Sequence, residues 1–400
     1  MAFQNASPNQ PAGHSFASAL TQRVDSVLER TLSEQRLVGA VILIAQAGQV
    51  IYRRAAGMAD REAGKPMQED ALFRLASVSK PIVSVAALVL IAQGRLQLDE
   101  DVTRWLPEFA PRLPDGTQPR ITIRHLMTHT AGLSYKFFQE ENGSYALAGV
   151  SDGMDDSDVS LQENVRRIAS APLLYRPGSE WKYSIATDVL GAVIEQITQL
   201  PLDKAVAELV TGPLGMRDTA FAAVDESRLA VAYADCPSAP RRLGEPDFVP
   251  FIEGTAGFVL SPNRALNAGA FPSGGAGMVG SAGDFLRLLE TLRTGGAPLL
   301  PESVVRQFTT NQIGDLPMAF WPGRGFGLGI TVLKDPVAAQ TPESAGTWRM
   351  GGTYGHSWFV DPVRQLSVVA FTNTALEGMS GAFVGELCEA VYVPEFSAVE

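Results

Sequence analysis

The chain has 400 residues, of which 46% are hydrophobic and 19% are charged, a balance typical of a globular protein. A folded chain of this size buries about three quarters of its unfolded surface, so its stability requires no disulfide and no structural metal. Its 43 acidic and 32 basic residues give a formal net charge of −11, which disfavours nucleic acid and anionic membranes as partners.

Neither end of the sequence suggests export or membrane insertion. Residues 1–20 lack a basic start and a hydrophobic stretch of signal-peptide length, and no stretch reaches the ~20 apolar residues of a spanning helix. The only cysteines, Cys236 and Cys388, are expected to be unpaired and buried, as suits a reducing compartment. We therefore predict a cytoplasmic protein without a membrane span, with residues 1–15 as a disordered tail.

The spacing of apolar residues predicts the order of the secondary-structure elements. Helices are expected over 19–36, 77–93, 161–170, 186–198, 202–210, 281–293 and about 380–391. Two apolar runs around Ala47-Gly48-Gln49 predict a β-hairpin near the start. Three strand-like runs close the chain, at 324–333, 346–360 and 365–373.

Strands at both ends with helices between them predict an α+β fold, an α/β sandwich in which the two chain ends build one antiparallel sheet flanked by helices. A mostly helical second lobe would lie beside it. We assign residues 16–112 and 275–395 to the α/β domain and residues 113–274 to the mostly helical domain.

Ser77 and Lys80 stand at the start of an uncharged helix. Pro81 is tolerated only near a first helical turn, so the helix begins close to these two residues, and side chains three positions apart share one face. Burial can lower the pKa of a lysine by about 3–5 units from its ordinary value of ~10.4. The pair thus predicts a nucleophilic serine beside a neutral amine. The alternative is a capping serine beside a lysine that extends to solvent.

Tyr183 is the candidate partner of this pair. It follows the turn at Pro177-Gly178 and comes directly before the helix predicted at 186–198, for which Ser184 is a plausible N-cap. A phenol at a helix N-terminus beside an ammonium group is expected to act as a phenolate-like base. Asp188, in the first turn of the same helix, is expected to cap it, a role in a cleft being the alternative.

The chain resembles the serine β-lactamase and penicillin-binding-protein superfamily in SVSK at 77–80, in Tyr183-Ser184, and in GGTYGH at 351–356. Within it, the likeness over residues 20–390 is to family VIII carboxylesterases, which have a class C β-lactamase fold. The resemblance implies a β-lactamase/transpeptidase-like fold and Ser77 as the acylated nucleophile. It also implies that Lys80 and Tyr183 share proton transfer, and that the backbone amides of Ser77 and about Thr353 form the oxyanion hole.

The resemblance extends to the substrate pocket. Gly352 would let the strand backbone approach the substrate. Tyr135 and Phe138, in a loop with Phe137, would line the acyl pocket, packed aromatic side chains being the alternative. His356 follows the oxyanion strand, where it would either touch the substrate or order the strand.

Departures from the superfamily pattern narrow the expected substrate. Met350-Gly351-Gly352 stands where β-lactamases and transpeptidases have Lys-Thr-Gly, so the cation that holds a substrate carboxylate is absent. Some related esterases have a tryptophan at the position of Met350, whereas this chain has Trp348 two residues earlier. Ile185 replaces an asparagine of class C enzymes. Both losses favour a neutral ester over an anionic β-lactam.

Two other motifs suggest different chemistry. Gly149-Val150-Ser151-Asp152-Gly153 fits the G-x-S-x-G pattern of α/β-hydrolases, but that motif needs a strand before it and a helix after it, so we expect an exposed loop. His125 and His129 could share a helix face as metal ligands, but no glutamate follows the first of them, and we expect structural histidines.

The sequence as a whole predicts a serine hydrolase that cleaves short-chain carboxylic esters, small molecules, through an acyl-enzyme, with no metal and no organic cofactor. The alternatives are a β-lactamase, an amide hydrolase like those acting on 6-aminohexanoate (nylon) oligomers, and an acyltransferase that uses the same acyl-enzyme. A non-catalytic ligand-binding protein is the alternative from a different class.

Overall fold

A computed structural model of the chain describes residues 13–392. Its helices are α1 (Gly13–Ser33), α2 (Ser79–Ala92), α3 (Ile123–Met127), α4 (Ser144–Leu147), α5 (Leu161–Ser170), α6 (Ala186–Thr198), α7 (Leu202–Val206), α8 (Gly212–Leu214), α9 (Ala282–Arg293), α10 (Glu302–Phe308), α11 (Glu377–Ser380) and α12 (Ala382–Tyr392). A π-helical turn, Ala207–Thr211, joins α7 to α8. The predicted tail at 1–15 falls mainly outside the described residues, since α1 begins at Gly13.

The strands fall into one large sheet and several small ribbons. They are β1 (Gly39–Gln46), β2 (Gln49–Asp60), β3 (Lys65–Pro66), β4 (Phe73–Arg74), β5 (Tyr233–Ala234), β6 (Arg241–Arg242), β7 (Asp247–Val249), β8 (Phe258–Leu260), β9 (Val279–Gly280), β10 (Arg324–Phe326), β11 (Thr331–Leu333), β12 (Trp348–Gly352), β13 (His356–Asp361), β14 (Leu366–Thr372) and β15 (Thr374–Ala375).

The large sheet confirms that the two chain ends meet. Its strands run in the order β10-β11-β12-β13-β14-β1-β2-β3, and β1 pairs antiparallel with β14 so that Ala40 lies opposite Thr372. The predicted hairpin is also confirmed. Ala47 and Gly48, with φ of 50° and 83°, form the two-residue turn between β1 and β2, because positive φ at both positions matches the twist of the strands.

Helices cover both faces of this sheet, which explains why β1 has no polar side chain from Gly39 to Ala45. One face of β1 packs against α1 and α12 through Ile42 and Ile44. The other face packs against α9 through Val41 and Leu43. A strand with two buried faces reads as a continuous apolar run, and the result is a helix–sheet–helix sandwich.

The predicted helices at 161–170, 186–198 and 281–293 are confirmed as α5, α6 and α9. Residues 113–274 supply α3 to α8 together with short strands, and α2 lies in one continuous core with α6 and α7. The division into two domains stays a prediction. Within the described range, no helix has the length and apolar content needed to cross a membrane.

Three expectations about the chain differ from the structure. The run 324–333 is two strands, β10 and β11, because the chain turns back at Gly329, where φ is 114°. The run 346–360 is likewise β12 and β13, joined by a tight turn in which Gly355 has φ of 108°. Of the two unpaired cysteines, Cys388 is buried as expected, whereas Cys236 is exposed in a loop.

A buried ion cluster fastens the end of the sheet near β12. The Glu343 carboxylate is fully buried and contacts Arg324 of β10 at 2.9 Å and Arg349 of β12 at 3.0 Å. A loop residue thus links strands on either side of β11. Removing one member of such a cluster leaves buried charges without a counterion.

Glu343→Ala is therefore expected to lower the free energy of unfolding by about 3–5 kcal/mol, because two largely buried guanidinium groups lose their shared carboxylate. Urea denaturation followed by circular dichroism measures this change. The matched control is Glu302→Ala, which breaks the exposed pair with Arg306 and should change stability by less than about 1 kcal/mol. Equal losses in the two variants would contradict the prediction.

Candidate active site

Ser77 lies in a 3₁₀ turn, Ala76–Val78, directly before α2. Ala76 has φ of 45°, a left-handed conformation that strains an alanine and turns the chain sharply just before the serine. Ser77 is partly exposed, whereas α2 is buried from Ser79 to Leu90. The hydroxyl is therefore accessible at the mouth of a buried helix.

The structure brings the Lys80 amine to Ser77. Lys80 is fully buried, and its Nζ donates to Ser77 Oγ at 3.2 Å and to the Gly275 carbonyl at 2.8 Å. Burial lowers the pKa of Lys80 to about 7, and the negative charges of Asp188 and Asp152 oppose this shift. A substantial fraction of the amine is therefore neutral near pH 7 and able to accept a proton.

Tyr183 completes a triangle with these two residues. Its hydroxyl is hydrogen-bonded to Ser77, and its ring centroid lies 4.6 Å from Lys80 Nζ. Burial raises the pKa of Tyr183 above its ordinary value, although the hydrogen bond to Ser77 acts in the opposite direction. Tyr183 is thus a neutral phenol at pH 7, and the site offers the Lys80 amine as the stronger proton acceptor.

Helix α6 positions Tyr183, but not with the expected cap. The residue at the N-cap is Ile185, without a side-chain hydrogen bond, so the prediction for Ser184 is wrong. The Ser184 backbone amide donates to His129 Nδ1 at 3.2 Å, and its Oγ lies 3.1 Å from the same nitrogen. This contact ties the segment before α6 to the loop at 128–135.

The turn between β12 and β13 lies against the Ser77 turn. A side chain at Gly352 would overlap the Leu75 carbonyl and lie 3.1 Å from Val78, so only glycine permits this approach. Thr353 follows and is buried. The backbone from Gly352 to Thr353 is therefore beside the residues that flank Ser77, as an oxyanion hole requires.

The other residues proposed for substrate contact lie in different surroundings. His356 is fully buried, with its Nε2 2.8 Å from the Arg74 carbonyl and its ring packed edge-on against Phe73. Burial lowers the pKa of His356 to about 4, so the ring is neutral. This position favours a role in ordering the strand over one in contacting substrate.

Trp348 and Met350 share one face of β12 but differ in exposure. Trp348 is buried in the core, with ring contacts to Phe308 and Trp358. The structure therefore does not bring Trp348 to the mouth of the site, whereas Met350 is only partly buried.

The aromatic side chains of the loop after α3 also differ in exposure. Tyr135 is buried with its ring centroid 5.1 Å from Lys80 Nζ and 5.6 Å from the Tyr183 ring, so it forms an inner wall. Phe138 is partly buried and packs against Phe137 and the exposed Phe251. Phe138 therefore belongs to an outer aromatic group.

Sequence patterns did not reveal two parts of the site. Trp321 is 36% exposed and stands edge-on to the Tyr183 ring at 6.1 Å, with Trp181 5.3 Å away. The Gly275 carbonyl, which accepts from Lys80, was likewise given no role in the sequence analysis. Both residues lie far along the chain from Ser77.

The remaining alternatives do not form reactive centres. Ser151 is buried, donates to the neighbouring Asp155 carboxylate and lies between turns, so it lacks the strand and helix of a nucleophile elbow. The expectation that this loop is exposed was wrong, since 150–154 are buried.

The two histidines considered as metal ligands, His125 and His129, make separate structural hydrogen bonds. His125 Nδ1 accepts from the Thr122 amide at the start of α3, as part of a capping box, and His129 contacts Ser184. Among residues 13–392 there is no group of three or more His, Cys, Asp or Glu side chains placed to hold a metal ion.

A protein family and several known proteins are similar to this chain over almost its whole length. The beta-lactamase family model matches residues 17–386. Esterase EstB of Burkholderia gladioli is 52% identical over 377 residues, which cover 94% of this chain and 96% of that protein. The structure of EstCE1, "a hydrolase with promiscuous acyltransferase activity", has a TM-score of 0.91 and 48% identity, and covers 94% of this chain and 99% of the other.

More distant structures share the fold. Unliganded simvastatin synthase (LovD) of Aspergillus terreus superposes with a TM-score of 0.73 at 23% identity, over 93% of this chain and 98% of the other. These structures bear out the predicted α+β architecture, with a large antiparallel sheet flanked by helices in a β-lactamase/transpeptidase-like arrangement.

Ser77 is expected to react covalently with a fluorophosphonate at a rate that rises with pH. Below pH 7 the Lys80 amine is protonated and cannot accept the Ser77 proton, so each lower pH unit should slow labelling about tenfold, with a plateau above it. Peptide mass spectrometry after timed labelling measures this. Ser77→Ala should abolish the adduct and Ser151→Ala should leave it, and an adduct on Ser151 would contradict the assignment.

Proposed function

The chain belongs to the beta-lactamase family, and we propose that it is a serine carboxylesterase that cleaves short-chain esters through an acyl-enzyme on Ser77. The observation that carries this proposal is the buried Lys80 amine 3.2 Å from a partly exposed Ser77 hydroxyl. The 52% identity with a named esterase over nearly the whole chain supports the ester as substrate.

In the acylation step, the neutral Lys80 amine accepts the Ser77 proton while Ser77 Oγ attacks the ester carbonyl. The C–O bond to the alcohol then breaks, and the alkoxide takes a proton. Tyr183 is a neutral phenol hydrogen-bonded to Ser77, so it can donate its proton to the leaving oxygen and recover one from Lys80. The raised pKa of Tyr183 suits a donor better than a phenolate base.

The tetrahedral intermediate needs donors aimed at its oxygen, and we assign this role to the amides of Ser77 and Thr353. Their proximity follows from the contact of Gly352 with the Ser77 turn. In deacylation, water attacks the acyl carbonyl while Lys80 accepts its proton. The bond between the acyl carbon and Ser77 Oγ then breaks, Ser77 recovers its proton from Lys80, and the acid leaves. Every step moves protons between groups of this chain, so the proposal requires no cofactor.

The polar groups that suit an anionic β-lactam are absent from this site. Met350-Gly351-Gly352 occupies β12 in place of Lys-Thr-Gly, and no cation stands at that position. Ile185 is fully buried, so the position of the class C asparagine is apolar. Because an unpaired carboxylate would lose its hydration there, a neutral ester is the favoured substrate.

Ser77→Ala is expected to lower the turnover of p-nitrophenyl acetate by roughly 10⁴–10⁶-fold, since the nucleophile is lost while the oxyanion donors remain. Initial rates of p-nitrophenol release measure the change. Ser79→Ala is not a suitable control, because Ser79 is buried and accepts from the Met278 amide. Ser26→Ala serves instead, because Ser26 is exposed on α1, and it should retain activity.

The same assay separates the alternatives if a cephalosporin and a linear amide are tested beside the ester. The proposal expects the ester to exceed both by at least about tenfold in kcat/KM. A higher rate on the cephalosporin would identify a β-lactamase, and a higher rate on the amide would identify an amidase. Full activity of Ser77→Ala on every substrate would remove Ser77 from the mechanism.

Acyl transfer to an alcohol is a second candidate activity. EstCE1 is a hydrolase with promiscuous acyltransferase activity, and Trp321 and Trp181 form an aromatic wall beside Tyr183 in this chain. An apolar wall favours binding of an apolar alcohol over water. The same acyl-enzyme can then pass its acyl group to that alcohol.

Trp321→Ala is expected to lower the ratio of transfer to hydrolysis by about two- to tenfold, because the alcohol loses an aromatic contact. Product analysis by gas chromatography, with vinyl acetate and benzyl alcohol in water, measures this ratio. Phe248→Ala removes an exposed ring on β7 and should leave the ratio unchanged. An unaltered ratio in Trp321→Ala would exclude the wall from alcohol binding.

We place this activity in the cytoplasm. Cys236 and Cys388 form no disulfide in the structure, which suits a reducing compartment.

A further inference from the structure

Lys80 depends on a segment far along the chain for its orientation. Its amine donates to the Gly275 carbonyl at 2.8 Å, a shorter contact than the 3.2 Å to Ser77. Residues 273–275 lie in a loop and turn outside any helix or strand. Something other than regular backbone pairing must therefore hold the carbonyl in place.

Asp188 holds this segment. Its carboxylate accepts from Ser273 Oγ at 2.9 and 3.1 Å and from the Gly275 amide at 2.7 Å. The first-turn cap predicted for Asp188 is therefore wrong, because these bonds lead away from α6 to another loop. Tyr183 immediately precedes the same helix, so the start of α6 positions both the phenol and the carbonyl that face Lys80.

Close packing leaves the segment little freedom. A side chain on Gly275 would lie 2.8 Å from Tyr135 Oη, 3.4 Å from Asp188 and 3.6 Å from Lys80 Nζ. A side chain on Gly274 would lie 2.7 Å from the Thr187 carbonyl. The carboxylate, the amine and the glycine backbone thus share one small buried volume.

Two negative charges act on Lys80, and the other titratable groups around it are neutral. Asp188 and Asp152 are the carboxylates that act on it, and burial raises their pKa values to about 6 and about 7. Asp152 is bound by the backbone amides of residues 136 and 137, on another loop. His129 is neutral because burial lowers its pKa, and burial keeps Tyr135 and Tyr183 protonated.

We propose that Asp188 is a positioning residue for the reaction: it fixes the Gly275 carbonyl that orients the Lys80 amine, and its charge makes that amine readier to take a proton. This inference rests on the proposed function for its catalytic meaning. The effect of Asp188 on the protonation of Lys80 can be measured without any assay of activity. The step involves no new bond, only the placement of the base.

The test is a titration of Lys80 in the full chain. The sequence contains six lysines, so ¹³Cε-lysine labelling gives a simple NMR spectrum, and the Lys80→Arg variant assigns the Lys80 signal by its absence. Asp188→Asn keeps the size of the side chain and removes its charge. The Lys80 midpoint should fall by about one pH unit, because loss of a nearby negative charge disfavours the ammonium form.

The matched control is Asp284→Asn. Asp284 is also buried and accepts from one backbone amide and one hydroxyl, those of Asp218 and Thr219. Its replacement should leave the Lys80 midpoint unchanged. An unchanged midpoint in Asp188→Asn, or an equal shift in both variants, would overturn the proposal whether or not the protein is an esterase.

Activity provides the second readout. In Asp188→Asn the acid limb of kcat/KM should move to lower pH together with the Lys80 midpoint, while Asp284→Asn keeps the original profile. Ser273→Ala retains the charge but removes one tether, so kcat should fall severalfold without a shift of the limb. A fall in kcat for Asp188→Asn with no shift of the acid limb would show that Asp188 is merely structural. An unaffected kcat in Ser273→Ala would contradict the proposal that the Ser273–Asp188 hydrogen bond holds the Gly275 carbonyl in place.

Discussion

The chemistry proposed for this protein depends on the cost of burying an amine. Lys80 is fully enclosed at the start of an apolar helix, and water cannot stabilise its charge there. The surroundings offset that cost with a carbonyl, two aromatic faces and the nearby charge of Asp188. A carboxylate bonded directly to the amine would keep it protonated, so the absence of such a pair among the described residues suits the proposed role of Lys80 as a base.

This constraint also explains the use of aromatic residues around the amine. Tyr135 and Tyr183 exclude water while their ring faces still attract a cation when Lys80 is protonated. Trp181, Trp321 and Phe326 continue these aromatic contacts past Tyr183, and of the three only Trp321 is exposed. The proposed base and the proposed alcohol-binding wall therefore border on one set of contacting aromatic rings.

Local patterns predicted the parts of the fold that local physics determines. The uncharged run after Pro81 marked a buried helix, and the Ala47-Gly48 turn marked a hairpin. Patterns failed where a side chain bonds to a distant segment. Ser184 and Asp188 both have the residue types of a helix start, yet Ser184 is hydrogen-bonded to His129 and Asp188 to the loop at 273–275. No spacing rule contains such partners, since they lie 55 or more residues away.

The closure of the sheet has a consequence for biosynthesis. The Val38 amide donates to Thr374, 336 residues later, and β1 lies between β2 and β14. A ribosome must therefore complete almost the entire polypeptide before β1 can gain its second neighbour, and such long-range pairing is slow. The strand turn that lies against Ser77 comes from the same late segment, so in a nascent chain the proposed active site stays incomplete until the last strands dock.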